Sequence, residues 1–129
     1  MTDKGIDVGV VIRDSEAALR FYRDTLGMEH VADVKALTGV MHRLQWGSST
    51  LKLTRPDSLP EAQNPAGGFL AGTGIRYFTL TVPDVDGLLA RCAEAGYATA
   101  MGRTEVRPGV VIAVVEDPEG NWVEFLQAA

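Results

Sequence analysis

The chain has 129 residues, of which 46% are hydrophobic and 22% charged, and its formal net charge is −5. These numbers fit one compact domain with the composition of a globular protein and exclude a disordered chain. The sequence carries no cluster of lysines and arginines, so it predicts no nucleic-acid partner and no anionic membrane partner, both of which need positive counter-charge. Its single cysteine, Cys92, excludes an internal disulfide and a cysteine-based zinc site.

The sequence also predicts a chain without a membrane segment. Its longest apolar stretch, residues 110–115, has the length of a strand and is too short to span a bilayer. The first residues, from Met1 to Lys4, contain no apolar signal core. We therefore expect a cytoplasmic location.

The first half of the chain predicts a strand, a helix and three further strands. Residues 6–12 are rich in Val and Ile, and Asp14 offers an N-cap for a helix over residues 15–26 that Gly27 ends. The apolar stripe of this helix consists of Ala18, Leu19, Tyr22 and Leu26. The three strands are predicted at residues 28–36, 39–46 and 50–55.

The second half repeats this pattern after a linker. Residues 56–74 are rich in Pro and Gly and show no periodicity, so they predict a linker in which Phe69 and Leu70 dock locally. Asp84 then offers the second N-cap, for a helix that Gly96 ends. The predicted elements are a strand at 75–82, a helix at 85–95 and strands at 98–106, 110–116 and 122–127, with a tight turn at 117–120.

The two halves form an internal repeat. Asp14 and Asp84 stand at equivalent places, 70 residues apart. One βαβββ unit is too small to bury its own sheet. We therefore predict an α+β fold in a single domain over residues 1–129, with two tandem βαβββ modules at about residues 5–55 and 75–127. Their curved mixed sheets are expected to form a shared ligand cavity.

Strand alternation places four polar side chains on the faces that the helices do not cover. They occupy equivalent positions in the first and last strands of the two modules and are Asp7, Lys52, Tyr77 and Glu124. Polar groups that converge from four strands predict a ligand-binding groove. The alternative is that this face is solvated and that the four residues are ordinary exposed side chains.

Four segments together resemble one known family. They are Val-Val-Ile-Arg-Asp at 10–14, Phe-Tyr-Arg-Asp-Thr-Leu-Gly at 21–27, Val-Pro-Asp-Val-Asp at 82–86 and Asp-Pro-Glu-Gly-Asn-Trp-Val-Glu-Phe at 117–125. With Gly96, they cover both halves of the chain, and the sequence resembles the vicinal oxygen chelate superfamily. This superfamily contains glyoxalases, extradiol dioxygenases, epimerases, and fosfomycin- and bleomycin-resistance proteins. The resemblance implies paired βαβββ modules around a cavity.

The resemblance also implies a divalent metal in the enzymes of this type, held by His, Gln or Glu from the first and fourth strands of each module. The corresponding residues here are Asp7, Lys52, Tyr77 and Glu124, and only Glu124 keeps the usual ligand type. A lysine ammonium has no acceptor, and a tyrosine must lose a proton with a pKa of about 10 to become a strong ligand. We expect no metal or other cofactor, with a lysine–carboxylate pair in its place. The alternative is a divalent metal on Asp7, Tyr77 and Glu124.

The resemblance and the changed ligand positions favour a small-molecule binding protein, similar to the antibiotic-sequestering members, that holds an aromatic or polycyclic ligand between the sheets. The expected ligand-binding residues are Asp7, Trp46, Lys52, Tyr77, Thr79, Trp122 and Glu124. The alternative is an enzyme, a glyoxalase-type lyase or isomerase or a dioxygenase, in which Glu124, Lys52 and Tyr77 are catalytic. Such an enzyme would use either the metal or metal-free acid–base catalysis by Lys52 and Glu124.

A third alternative is a regulatory module whose groove serves as a dimer seam. A homodimer is expected in each case, because short strands leave open edges and apolar surface.

The remaining chemistry-bearing residues predict structural roles. His30 and His42 have no histidine partner at ligand spacing, so each is expected to be structural or exposed. Cys92 lies on the apolar stripe of the second helix and is expected to pack in the core. The sequence contains no phosphate-binding loop and no strand-linked dinucleotide motif, so a nucleotide site is not predicted.

Overall fold

The structure, a computed structural model, describes residues 4–36 and 38–128. The expectation about the N-terminus concerns residues 1–4, of which residues 1–3 lie outside the described residues. The chain divides into two compact units, Met1–Ala62 and Gln63–Ala129. Among the described residues, no helix has the length and apolarity needed to cross a membrane.

The first unit contains a four-stranded mixed sheet in the order β1-β4-β3-β2. Its strands are Val8–Val11 (β1), Glu29–Ala36 (β2), Gly39–Trp46 (β3) and Ser49–Pro56 (β4). β1 is parallel to β4, and the other neighbours are antiparallel. The helix α1 (Ser15–Leu19) lies against β4, and a π-helical segment (Arg20–Thr25) continues it. This is the predicted βαβββ order.

The first helix differs from its prediction, because its second half is π-helical. The Leu26 N–H donates to the Phe21 carbonyl at 2.9 Å, and the Thr25 hydroxyl donates to the Arg20 carbonyl, also at 2.9 Å. The backbone bond spans five residues, which widens the turn, and the Thr25 side chain satisfies a second carbonyl of this segment. Phe21 and Tyr22 are both fully buried and in ring contact, although the predicted stripe contained only Tyr22.

The second unit repeats the architecture with a sheet in the order β5-β8-β7-β6. Its strands are Tyr77–Thr81 (β5), Thr99–Arg107 (β6), Val110–Glu116 (β7) and Trp122–Ala128 (β8), and its helix is α2 (Val85–Glu94). A short 3-10 turn at Gly68–Leu70 precedes β5. The two predicted βαβββ units, each a four-stranded mixed sheet with one helical segment, are therefore confirmed.

The N-terminal caps of the two helices are equivalent, as the internal repeat predicts. The Asp14 side chain accepts from the Ala17 N–H and the Asp84 side chain from the Gly87 N–H, each at 3.1 Å. In both helices the acceptor carboxylate precedes the first turn and satisfies a backbone N–H that has no intrahelical partner. The two caps are equivalent because the same local signal stands at the same place in each unit.

Cys92 is fully buried on α2, and burial raises the pKa of its thiol to about 11. Because the thiolate is the reactive form of cysteine, we expect the native protein not to react with Ellman's reagent at about pH 8. In denaturant, the same measurement should show one reactive thiol per chain. Rapid labelling of the native protein would contradict the buried placement.

Candidate functional site

In the first unit, two of the predicted site residues form an ion pair. Lys52 Nζ lies 3.2 Å from Asp7 Oδ2. Gly9 is opposite Lys52 in the β1–β4 register, and a Cβ at Gly9 would have no atom within 4 Å. The sheet face beside Lys52 is therefore open. Both charged side chains are partly exposed, so the pair contributes little to stability.

In the second unit, Thr79 and Glu124 are neighbours on the parallel strands β5 and β8. The Thr79 hydroxyl donates to Glu124 Oε1 at 2.7 Å. A hydroxyl that donates to a carboxylate fixes the orientation of the acidic group on the sheet face. The predicted ligand residues Thr79 and Glu124 therefore act as one polar unit.

Three aromatic rings lie next to this polar pair and form what we call the aromatic cluster: Phe69, Tyr77 and Trp122. Tyr77 is opposite Trp122 in the β5–β8 register, two residues before the Thr79–Glu124 pair, so all four lie on one sheet face. The Phe69 ring centroid lies 5.3 Å from that of Trp122 and 6.3 Å from that of Tyr77, both edge to face. Phe69 and Tyr77 are about half exposed.

The indole nitrogen of Trp122 is buried and has no hydrogen-bond partner among the residues that the structure describes. A buried donor without a partner is unfavourable, and most such donors in proteins are satisfied. An acceptor atom placed against this N–H would remove the penalty. The cluster therefore combines exposed ring surface with one directed donor.

The segment that carries Phe69 belongs to the predicted linker, but side-chain hydrogen bonds hold it in place. Arg76 Nε donates to the Gly68 carbonyl at 2.9 Å, and its Nη2 donates to the Pro65 carbonyl. Gly68 has a φ of +64° and lies directly against the Trp122 ring. Phe69 contacts Trp122 of the sheet as expected, whereas Leu70 is exposed and does not dock.

Trp46 does not lie with Lys52. Lys52 is paired with Arg43 across β3 and β4, whereas Trp46 has the strand parity of the buried residues Leu44 and His42. Successive strand residues point to opposite faces, so Trp46 is on the helix side of its sheet. Trp46, one of the expected ligand-binding residues, therefore lies on the opposite face of this sheet from Lys52.

The structure brings both histidines to one carboxylate, an arrangement that their spacing in the sequence does not indicate. His30 Nε2 lies 2.6 Å and His42 Nδ1 2.7 Å from Asp33 Oδ1, and the two rings are 5.9 Å apart. The expectation that neither histidine has a histidine partner is therefore wrong. The hydrogen bonds to His42 and then His30 lower the pKa of Asp33. We call these three residues the His–Asp–His cluster.

Two features of the hairpin build this cluster. Asp33 is directly opposite His42 in the β2–β3 register, and this pairing follows from the hairpin that joins Ala36 to Gly39. His30 would face the other side of a regular strand, but a bulge between His30 and Ala32 brings it onto the Asp33 face. The hairpin pairing has a sequence signal in its spacing, whereas the bulge has none.

Known proteins resemble this chain over most of its length. The family model "Glyoxalase/Bleomycin resistance protein/Dioxygenase superfamily" matches residues 7–125. A search of curated proteins returned no significant match.

Among solved structures, a glyoxylase/bleomycin resistance protein/dioxygenase domain from Frankia sp. EAN1pec has a TM-score of 0.81 at 19% identity, covering 99% of this chain and 94% of its own. A glyoxalase family protein from Bacillus cereus also has a TM-score of 0.81, at 15% identity, with 99% and 98% covered. An antibiotic binding protein from Streptomyces sp. CB03234 has a TM-score of 0.67 at 23% identity, with all of both chains covered. The chain belongs to the glyoxalase/bleomycin resistance protein/dioxygenase superfamily, the vicinal oxygen chelate superfamily that the sequence motifs resemble.

Proposed function

We propose that this protein binds a small aromatic or polycyclic organic molecule at the aromatic cluster. The observation that carries the proposal is the buried, unpartnered indole N–H of Trp122, on a ring that packs edge to face with the half-exposed ring of Phe69. Exposed aromatic faces offer stacking surface, and a single directed donor selects a ligand with an acceptor such as a carbonyl or phenolate oxygen. One of the similar structures is an antibiotic binding protein, which supports a role in binding a small molecule.

The polar residues give the proposed ligand its orientation. Glu124, held by Thr79, would accept a hydrogen bond from a ligand hydroxyl or amine. Lys52, paired with Asp7, stays a predicted ligand contact that supplies positive charge. The homodimer and the cytoplasmic location expected from the sequence also stay predictions.

The residues at the family's metal positions do not fit a divalent ion. Lys52 stands at one of these positions, and its ammonium lies 3.2 Å from the Asp7 carboxylate. A cation beside Asp7 would meet the ammonium charge, and Lys52 offers no lone pair to a metal while it is protonated. A binding role with a lysine–carboxylate pair therefore agrees better with these side chains than a metal-dependent reaction.

The test is a calorimetric screen of aromatic and polycyclic compounds, followed by three variants. We expect Trp122→Ala to weaken the affinity for a hit more than tenfold. Trp122→Phe keeps a ring but removes the donor and should weaken it about five- to tenfold, the effect of one lost hydrogen bond of about 1 kcal/mol. Trp46→Phe, on the helix side of the sheet in the first unit, is the matched control and should leave the affinity unchanged.

Three outcomes would contradict this proposal. No saturable ligand in the screen would favour the regulatory module, and equal losses in Trp46→Phe and Trp122→Phe would place the ligand elsewhere. Turnover of a bound compound that Glu124→Gln abolishes would favour the enzyme alternative. Lys52→Ala tests the predicted charge contact and should weaken the binding of an anionic compound more than that of a neutral one.

A further inference from the structure

We propose that the His–Asp–His cluster binds one divalent transition-metal ion of the kind that prefers imidazole ligands, such as Zn²⁺. The site is separate from the proposed ligand site and does not depend on it. The Asp7–Lys52 pair lies on the other face of the same sheet, because His42 has the parity of Leu53 and Leu44 and not that of Lys52. The ion would therefore lie on the helix side.

The geometry of the three side chains carries the proposal. One ligand atom from each of His30, Asp33 and His42 lies within 4.8 Å of the other two. Both ring nitrogens converge on one carboxylate oxygen, at 2.6 and 2.7 Å. Ligand atoms around a tetrahedral Zn²⁺ are about 3.3 Å apart. Each nitrogen must therefore move about 0.6 Å away from the carboxylate oxygen, and the two nitrogens, up to 4.8 Å apart, must approach each other by about 1.5 Å.

The donor set suits a transition metal. Two imidazoles and one carboxylate occupy three coordination positions of the ion and leave the other positions to water. This arrangement is found in zinc sites and in other divalent-metal sites. Calcium and magnesium prefer all-oxygen ligands, so two imidazoles select against them. His42 is buried, His30 is mostly buried, and Asp33 is half exposed, which leaves an entry path on the Asp33 side.

A second shell already holds His42. Its Nε2 is 2.8 Å from the hydroxyl of Ser15, which begins α1 just after the N-cap Asp14. A serine hydroxyl both donates and accepts, so it can accept from Nε2–H when Nδ1 gives its lone pair to a metal. Metal-bound histidines generally donate their other N–H in this way.

The contact between Arg23 and His30 disfavours binding of the ion. Its Nη1 lies 3.4 Å from His30 Nδ1, and a guanidinium can only donate, so His30 carries its proton on Nε2 without a metal. When the ion binds Nε2, that proton moves to Nδ1 and the Arg23 contact breaks. Arg23 keeps its ion pair with Asp24, whose Oδ1 is 2.8 Å from Nε. No redox step or co-reactant is needed.

The experiment uses untagged protein that has been treated with a chelator and then titrated with ZnCl₂ by calorimetry. We expect one ion per chain, an increase in the melting temperature with Zn²⁺, and a visible absorption band when Co²⁺ replaces Zn²⁺. His30→Gln and Asp33→Asn should each weaken the binding at least tenfold. Both change partly exposed side chains, and circular dichroism checks that the variants fold.

Two further variants decide between competing explanations. Asp7→Ala and Glu124→Gln remove residues of the other predicted metal set and should leave the Zn²⁺ affinity unchanged. Arg23→Gln removes a nearby positive charge and should strengthen binding several-fold. The proposal is overturned if Zn²⁺ does not bind saturably, if His30→Gln and Asp33→Asn bind it as well as the unaltered chain, or if Asp7→Ala abolishes binding. In the first case, the cluster is a hydrogen-bonded network only.

Discussion

Replacing Gly68 with alanine should destabilise the protein by about 3 kcal/mol and weaken ligand binding at the aromatic cluster. Gly68 has a φ of +64°, a left-handed conformation that costs an alanine about 1–2 kcal/mol. An added Cβ would also overlap three carbon atoms of the Trp122 ring. Overpacking of this kind costs about 1–3 kcal/mol, because the ring and the turn must separate.

The matched control for this variant is Gly72→Ala. Gly72 has no φ in the left-handed range, and a Cβ there would have no atom within 4 Å. Its change in the free energy of unfolding should stay within about 0.5 kcal/mol. Urea unfolding followed by circular dichroism measures both variants. Equal effects at the two positions would show that Gly68 is not packed against Trp122.

Replacing Asp117 with alanine should destabilise the protein by about 3 kcal/mol, because it removes the acceptor on which the β7–β8 turn depends. The buried Asp117 carboxylate accepts from the backbone N–H groups of Glu119 and Asn121, both at 2.9 Å, and from Asn121 Nδ2 at 3.0 Å. Without the carboxylate, donors in a partly buried turn lose their partners. The turn leads into Trp122, so the start of β8 should loosen as well.

Asp117→Asn separates the loss of the acceptor from the loss of the charge. Its amide oxygen can still accept the two backbone N–H groups, but its NH₂ cannot accept from Asn121 Nδ2. We expect this variant to lose about 1 kcal/mol in the free energy of unfolding, measured by the same urea unfolding. If Asp117→Asn destabilised the protein as much as Asp117→Ala, the charge and not the hydrogen-bond pattern would stabilise the turn.

The elements of this fold were largely predictable from the sequence. The spacing of Asp14 and Asp84 predicted two helix starts, and both carboxylates cap as expected. β3 and β7 have the predicted bounds, while the others differ by one or two residues at their ends. The π-helical turn was not predictable, because Arg20–Thr25 has the same apolar pattern in either helix type.

The candidate sites were predictable only in part. Alternation correctly grouped Tyr77 and Glu124 on one sheet face, and the same rule places Trp46 with Leu44 rather than with Lys52. The unpartnered Trp122 N–H could not be predicted from the sequence, because it depends on how the Gly68 turn packs against the indole ring.

The sequence by itself determined the repeat, the helix caps, the sheet faces and the family resemblance, because these depend on neighbours along the chain and on periodicity. The tertiary structure alone decided that His30 and His42 share Asp33 and that Phe69 lies against Trp122. The first needs a strand bulge, and the second needs a turn that Arg76 holds. The first depends on a bulge in one hairpin that no sequence pattern signals, and the second depends on packing between Phe69 and Trp122, which lie far apart in sequence.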